Sequence, residues 1–401
     1  TGQKYKWMVW GVLATAVAGL GVTLAGIFAG GMETAALSYG ISAATEVLKW
    51  FTAVCLVLTA FFYTEGMQGI SLLAGTVIYA VSLAADRIWS LYDPIIGGWF
   101  PEWGGIFLSA VFGMMLWQEL TEKIQVIYHN GALLNFVFPY EFLKETNVHG
   151  TVETLRLACA GQPKYYHYVS SYSVYDTPNN KGKRVYENDP LNTAHGFSLA
   201  YSETKWVSEK LVGIAQKRGL HTVIYRPGDI TGAANGIWEM DDMVSRMIVG
   251  TIQMQAIPRT SYCMHLTPVD FVADAICCIS RKPEAMDQAF NLVNPEPVPV
   301  KKAVSYIRAC GYPVRYISFP AWKSKLKQAD ASENALTLLA CLFESGTDAN
   351  PGVLRHFIGK DTVYDCTKAN LLLNQSGISC PPVDEKLFAA YLNYFKKNGC
   401  I

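Results

Sequence analysis

Charge is scarce in this sequence, and the scarcity is uneven. Charged residues make up 16% of the 401 positions, and apolar residues 51%, against roughly 25% charged in an average globular protein. Through Leu116 only Lys4, Lys6, Glu33, Glu46, Lys49, Glu65, Asp86, Arg87, Asp93 and Glu102 are charged. The rest of the chain has an ordinary charge density. There is no excess of either sign, since the formal net charge is zero, so no basic footprint points to nucleic acid. No C-x-x-C pair and no Cys/His group at zinc spacing occurs, so no metal ligands are expected. The ten cysteines lie mostly in apolar runs, as buried thiols of a reducing compartment do.

The charge-poor part contains four apolar runs. Trp7–Met32 is uncharged throughout and as a helix would exceed a hydrocarbon core of roughly 30 Å. Trp50–Thr64, Gly66–Ala85 and the shorter Gly104–Trp117 follow. Trp7, Trp10, Trp50, Trp89, Trp99, Trp103 and Trp117 sit at the run edges, as an interfacial aromatic belt requires. Residues 1–116 are therefore expected to be a transmembrane region of three to four spans. The implied protein is integral to an organelle membrane, thylakoid or inner mitochondrial. Its expected partners are membrane lipid and other membrane-protein subunits, because the small residues of the first span suit helix packing.

From Gln125 the pattern changes to short β-rich runs alternating with amphipathic helices. Strands are expected at Gln125–Tyr128, Lys164–Val169 and Thr222–Arg226, and helices at Pro139–Ala158 and Ser202–Arg218. Apolar strands alternating with helices predict a parallel sheet covered on both faces.

The order of motifs over residues 117–401 carries a family resemblance. It runs from WQELTEKIQVIYHNGALLNFVFPYEFLKETNVHGTVETLRLA through YHYVSSYSVY, AYSETKWVSEKLV, IYRPGDITG, LTPVDFVADAI and AFNLVNPEP to the closing YDCTKANLLLNQSGISCPPVDEKLFAAYLNYF. This resembles the thioester reductases, extended short-chain reductases that end peptide and polyketide synthetases and occur in aminoadipate and carboxylic acid reductases. The resemblance implies a Ser/Tyr/Lys triad at Ser171, Tyr201 and Lys205. In it Tyr201 is the proton donor, Lys205 lowers the tyrosine pKa and binds the nicotinamide ribose, and Ser171 holds the carbonyl oxygen. A second Y-x-x-x-K, Tyr140–Lys144, reads as a surface helix pair. The resemblance also implies cofactor contacts at Asn130, Gly131 and Ala132, at Tyr201 and Lys205, and at Pro227 and Gly228. Asp229 stands where the family usually has a basic residue. His129 and His167 read as ordinary strand-end histidines, and Asp176–Gly196, rich in Pro, Asn and Gly, as a mobile lid.

Such reductases open with a strand, a T-G-x-x-G-x-x-G turn and a helix that seat the pyrophosphate. No such turn occurs in this sequence; the glycines near Gly19 and Gly26 have another spacing, inside an apolar run. The expected fold is thus a membrane α-helical region joined to an α/β Rossmann-like domain lacking its first βαβ half. Two functions follow. The first is a non-catalytic accessory subunit of a membrane complex, with no cofactor. The alternative is an NADPH-dependent, membrane-tethered reductase of acyl thioesters to aldehydes.

Overall fold

The computed structural model describes residues 75–84, 99–192, 195–330, 334–344 and 362–401. The chain divides into two units, Thr1–Lys123 and Ile124–Ile401. In the first unit, residues 75–84 are helical and Trp99–Lys123 forms a helix of 25 residues. Its C-terminal turns are closed by exposed pairs, Lys123 to Glu119 at 2.9 Å and Gln118 to Glu122 at 2.9 Å.

Among the described residues no helix is long and apolar enough to cross a membrane. This corrects the membrane α-helical fold class and the integral-membrane localisation, thylakoid or inner mitochondrial, expected from the sequence. The run Gly104–Trp117 shows the physical reason. It belongs to a helix with Glu102 and Glu119 on either side, and the stretch between them is about 24 Å long, short of the roughly 30 Å of hydrocarbon. Trp7–Met32, Trp50–Thr64 and all of Gly66–Ala85 except residues 75–84 lie outside the described residues.

The second unit is an α/β fold built on a parallel sheet. Its strands are β1 (Val126–His129), β2 (Tyr165–Val169), β3 (Thr222–Pro227) and β4 (Gln288–Leu292), hydrogen-bonded in that order. Ile127 pairs with Tyr166, Tyr168 with Ile224, and Tyr225 with Phe290. Between β1 and β2 runs a continuous helix, α1. It comprises Tyr140–Lys144, a π-helical turn Glu145–His149 and Gly150–Cys159. Helix α2 (Ala200–Lys217) joins β2 to β3. Then come α3 (Met243–Met254), α4 (Val269–Ile279), α5 (Val300–Ala309), α6 (Thr367–Asn374) and α7 (Glu385–Lys397).

The period of two along a strand sorts the core. Tyr166, Tyr168 and Ile224 pack with Leu155, Ala158 and Val212 of α1 and α2. Val169, Val223, Tyr225 and Phe290 pack on the other side with Phe271, Ala275 and Leu373 of α4 and α6. A separate core of Ile248, Val304, Phe388, Tyr391 and Phe395 joins α3, α5 and α7 beyond the strands' carboxyl ends.

The described part of the segment expected to be a mobile lid is tied down over residues 184–189. Arg184–Val185 pairs in parallel with Val363–Tyr364, and the Tyr175 hydroxyl donates to the Asp189 carbonyl at 2.8 Å. Glu187 is buried, and its carboxylate accepts from the backbone N–H of Asn291, Lys368 and Ala369 at 3.0, 2.6 and 3.1 Å. Burial pushes its pKa up, while those three donors hold it back. Chain ties from far downstream overrode the local Pro/Asn/Gly composition.

Candidate active site

The expected site residues gather because parallel strands end together, and the loops beyond their carboxyl ends share one crevice. β2 ends at Val169, and two residues on Ser171 caps the short turn Tyr172–Tyr175. There Ser171 Oγ accepts from the Ser173 N–H at 3.2 Å and lies 2.9 Å from Ser173 Oγ. β3 ends at Pro227, followed by Gly228. α2 begins at Ala200, so Tyr201 sits in its first turn and Lys205 one turn on, along the same face. A cleft of about 440 Å³ is lined by Asn130, Ala132, Ser171, Tyr201, Lys205, Pro227 and Gly228. Gly131 lies between two of these residues but beside the His129 ring rather than on the cleft wall. Tyr140 and Lys144 are outside it; Lys144 pairs with Glu141 on the surface.

Lys205 is 3% exposed. Its Nζ donates to the Val169 carbonyl at 2.6 Å and stands 4.6 Å from the centre of the Tyr168 ring. Burial lowers its pKa to about 8, against the opposing pull of Glu209. Burial also raises the Tyr201 hydroxyl to about 12, and that hydroxyl is hydrogen-bonded to no other described residue. The Lys205 ammonium itself is directed at the strand end. Tyr201 stays a neutral phenol, the form that carries a proton to give.

Sequence reasoning missed three supports of the site. Asn147, in the π-helical turn, is buried and clamps the loop after β1. It accepts from the Leu133 N–H at 2.6 Å, donates to the Leu133 carbonyl at 3.1 Å and reaches Thr204 Oγ1 at 3.1 Å. Glu209, one turn past Lys205, accepts from Ser170 Oγ at 2.6 Å and from Arg226. It thus joins α2 to the residue before Ser171 and the residue before Pro227. The third is Tyr172, whose hydroxyl donates to Asp229 Oδ1 at 2.7 Å; the carboxylate replacing the family's usual base is bound within the cleft wall. Only Asp229 had a signal in the sequence, as a departure from the motif. His129 and His167 are internal, bonded to Thr151 Oγ1 at 3.1 Å and to the Tyr225 hydroxyl at 3.0 Å.

Comparison with known proteins shows the family and the fold. The NAD-binding male sterility protein family model matches residues 112–276. The terminal R domain of the myxalamid PKS-NRPS biosynthetic pathway is 38% identical, with a TM-score of 0.64 over 71% of each chain. The chain belongs to the thioester reductase family. A linear gramicidin synthase of Brevibacillus parabrevis is 33% identical to this reductase-like chain over 287 residues, 70% of the chain but 5% of the relative. L-2-aminoadipate reductase of Saccharomyces cerevisiae is 31% identical over 296 residues, 69% of the chain and 21% of the relative. The chain thus spans a small part of both. A reductase (R) domain of a Mycobacterium tuberculosis peptide synthetase, 21% identical with a TM-score of 0.59, shows the same fold.

These relatives favour the reductase alternative over the non-catalytic accessory subunit, and a nicotinamide cofactor over none. The residues present fit a nicotinamide riboside end. The Lys205 ammonium has three N–H donors and one acceptor among the described residues, the Val169 carbonyl. Tyr201 presents a hydroxyl with no bond to another described residue, one helical turn away.

Proposed function

We propose that the chain is an NADPH-dependent reductase of acyl thioesters, releasing an aldehyde and a thiol. The observation that carries this reading is the meeting of Ser171, Tyr201 and Lys205 with Asn130, Ala132, Pro227 and Gly228 in one cleft. Tyr201 has no competing hydrogen bond among the described residues, and Lys205 keeps donors free for ribose hydroxyls. Bound NADPH would supply a hydride to the carbonyl carbon.

The other steps belong to this chain's residues. Ser171 Oγ donates to the carbonyl oxygen and orients it. Tyr201 gives its proton to that oxygen as the hydride arrives, so that a neutral hemithioacetal forms with no free oxyanion. The hemithioacetal hydroxyl then returns its proton to Tyr201 as the C–S bond breaks, and the departing thiolate takes a proton from water to leave as a thiol. One carbonyl is reduced and one NADPH oxidised per turnover.

The test is NADPH consumption with an acyl-pantetheine thioester, with the aldehyde trapped as a hydrazone. Stoichiometric aldehyde that vanishes with Tyr201→Phe supports the reading. NADPH binding without any aldehyde, across short and long acyl groups, would reject it.

A further inference from the structure

Past Tyr201 the cleft becomes apolar. Phe136 stands edge-on to the Tyr201 ring, centroids 6.0 Å apart. It packs in one cluster with Leu199, Met247, Leu339, Leu342 and Phe343, and all six line the cleft. A second, smaller cavity of about 60 Å³ lies against the same cluster, and Met247 and Phe343 line both spaces. Phe343 is braced from behind by Trp322, edge-on at 5.0 Å.

The charges complete the picture. Among the described residues lining the main cleft, Lys205 is the one cation, and it faces Val169 at the catalytic end. The acidic members are Asp176, Asp229, Glu239 and Asp242. Asp229 is engaged by Tyr172, and Asp242 caps α3 through the Ser245 N–H at 2.8 Å. The smaller cavity has no charged residue among its described lining. A substrate tail ending in a carboxylate would find no cation among the described residues of the arm and would be desolvated there unpaired.

We propose that this arm is the acyl-chain site and that it selects an apolar, uncharged acyl group over a dicarboxylic one. Met247 and Phe343 form the partition that sets how deep the chain reaches. The inference rests on the thioester reading, because it takes the arm beside Tyr201 to hold what lies behind the reacting carbonyl. Met247 is the adjustable element, half-buried and unbranched, and so able to yield to a chain. Discrimination per methylene in an apolar pocket runs at roughly 10- to 200-fold.

The experiment measures binding, not turnover, on the full chain. Equilibrium dialysis compares decanoyl-pantetheine, butanoyl-pantetheine and 2-aminoadipoyl-pantetheine. Decanoyl-pantetheine is expected to bind at least about tenfold more tightly than either. Met247→Trp, which fills the partition, should bring decanoyl binding down to the butanoyl level. Met247→Lys, which places a cation in the arm, should narrow or reverse the preference over the aminoadipoyl thioester. Equal binding of the three by the unmodified chain, or preference for the aminoadipoyl thioester, would overturn the proposal whether or not either variant folds. Preferential decanoyl binding without aldehyde formation would refute the catalytic reading and leave the acyl site standing. Aldehyde formation with an aminoadipoyl preference would do the reverse.

Discussion

Arg226 and Glu209 form an ion pair inside the fold, with side chains 4% and 3% exposed. Arg226 Nε donates to Oε1 at 3.1 Å and to Oε2 at 3.2 Å, and the guanidinium also reaches the Glu187 carbonyl at 3.0 Å. A buried pair adds little net stability over apolar packing, but removing one member strands the other. Glu209→Ala should therefore cost about 3–5 kcal/mol, read as a lower urea midpoint. An unchanged midpoint would mean that Arg226 finds water or another partner.

Tyr201→Phe separates chemistry from folding. The lost hydroxyl has no protein partner among the described residues, so the melting temperature should hold. Thioester reduction should fall by roughly two to four orders of magnitude, measured as the initial rate of NADPH oxidation.

Burial holds His129, His167 and His265 at pKa values of about 4, below the ordinary 6.5, with Lys205 adding to the shift at His129 and the Thr362 backbone opposing it at His265. Between those values the unfolded chain binds more protons than the folded one. The stability these neutral rings contribute is complete above about pH 6.5 and lost as pH falls toward 4, at most roughly 3 kcal/mol each. Urea midpoints at pH 7 and pH 4.5 should show the decline. His167→Phe, which keeps the stack between Tyr128 and Tyr225, should make the decline shallower.

At Gly228 a methyl group has nowhere to go. An added Cβ would stand 2.7 Å from Thr267 Oγ1 and 2.9 Å from the His265 carbonyl oxygen. Gly228→Ala should cost about 1–3 kcal/mol through overpacking. It should also raise the KM for NADPH, because the turn at the cleft floor must move. Thermal melts and a cofactor titration check the two effects independently.

The α/β elements were legible because their signals are local. The expected helix Ser202–Arg218 is observed at Ala200–Lys217, and the strand Lys164–Val169 at Tyr165–Val169. Tyr201 and Lys205 could be picked out from a competing Y-x-x-x-K because the strands flanking α2 identify it. The membrane reading failed at Gly104–Trp117 because apolar content and edge tryptophans outweighed length, although Glu102 and Glu119 leave a stretch shorter than a hydrocarbon core. Asn147 and Glu209 left no trace because their partners, Leu133, Ser170 and Arg226, are brought near only by the fold. The tethering of Arg184–Val185 depends on Val363–Tyr364, too remote in sequence for composition to reveal.

That last pairing sets an order of assembly. Glu187 needs the N–H groups of Lys368 and Ala369, and the 184–185 strand needs Val363 and Asp365. During synthesis the sheet strands and α2 emerge long before those partners do. The nascent chain must therefore carry an open wall, with the Glu187 carboxylate in water, until residue 369 has left the ribosome. Contacts of such long sequence separation form slowly. A ribosome stalled between β4 and α6 would hold a domain with Ser171, Tyr201 and Lys205 made and its cleft unfinished.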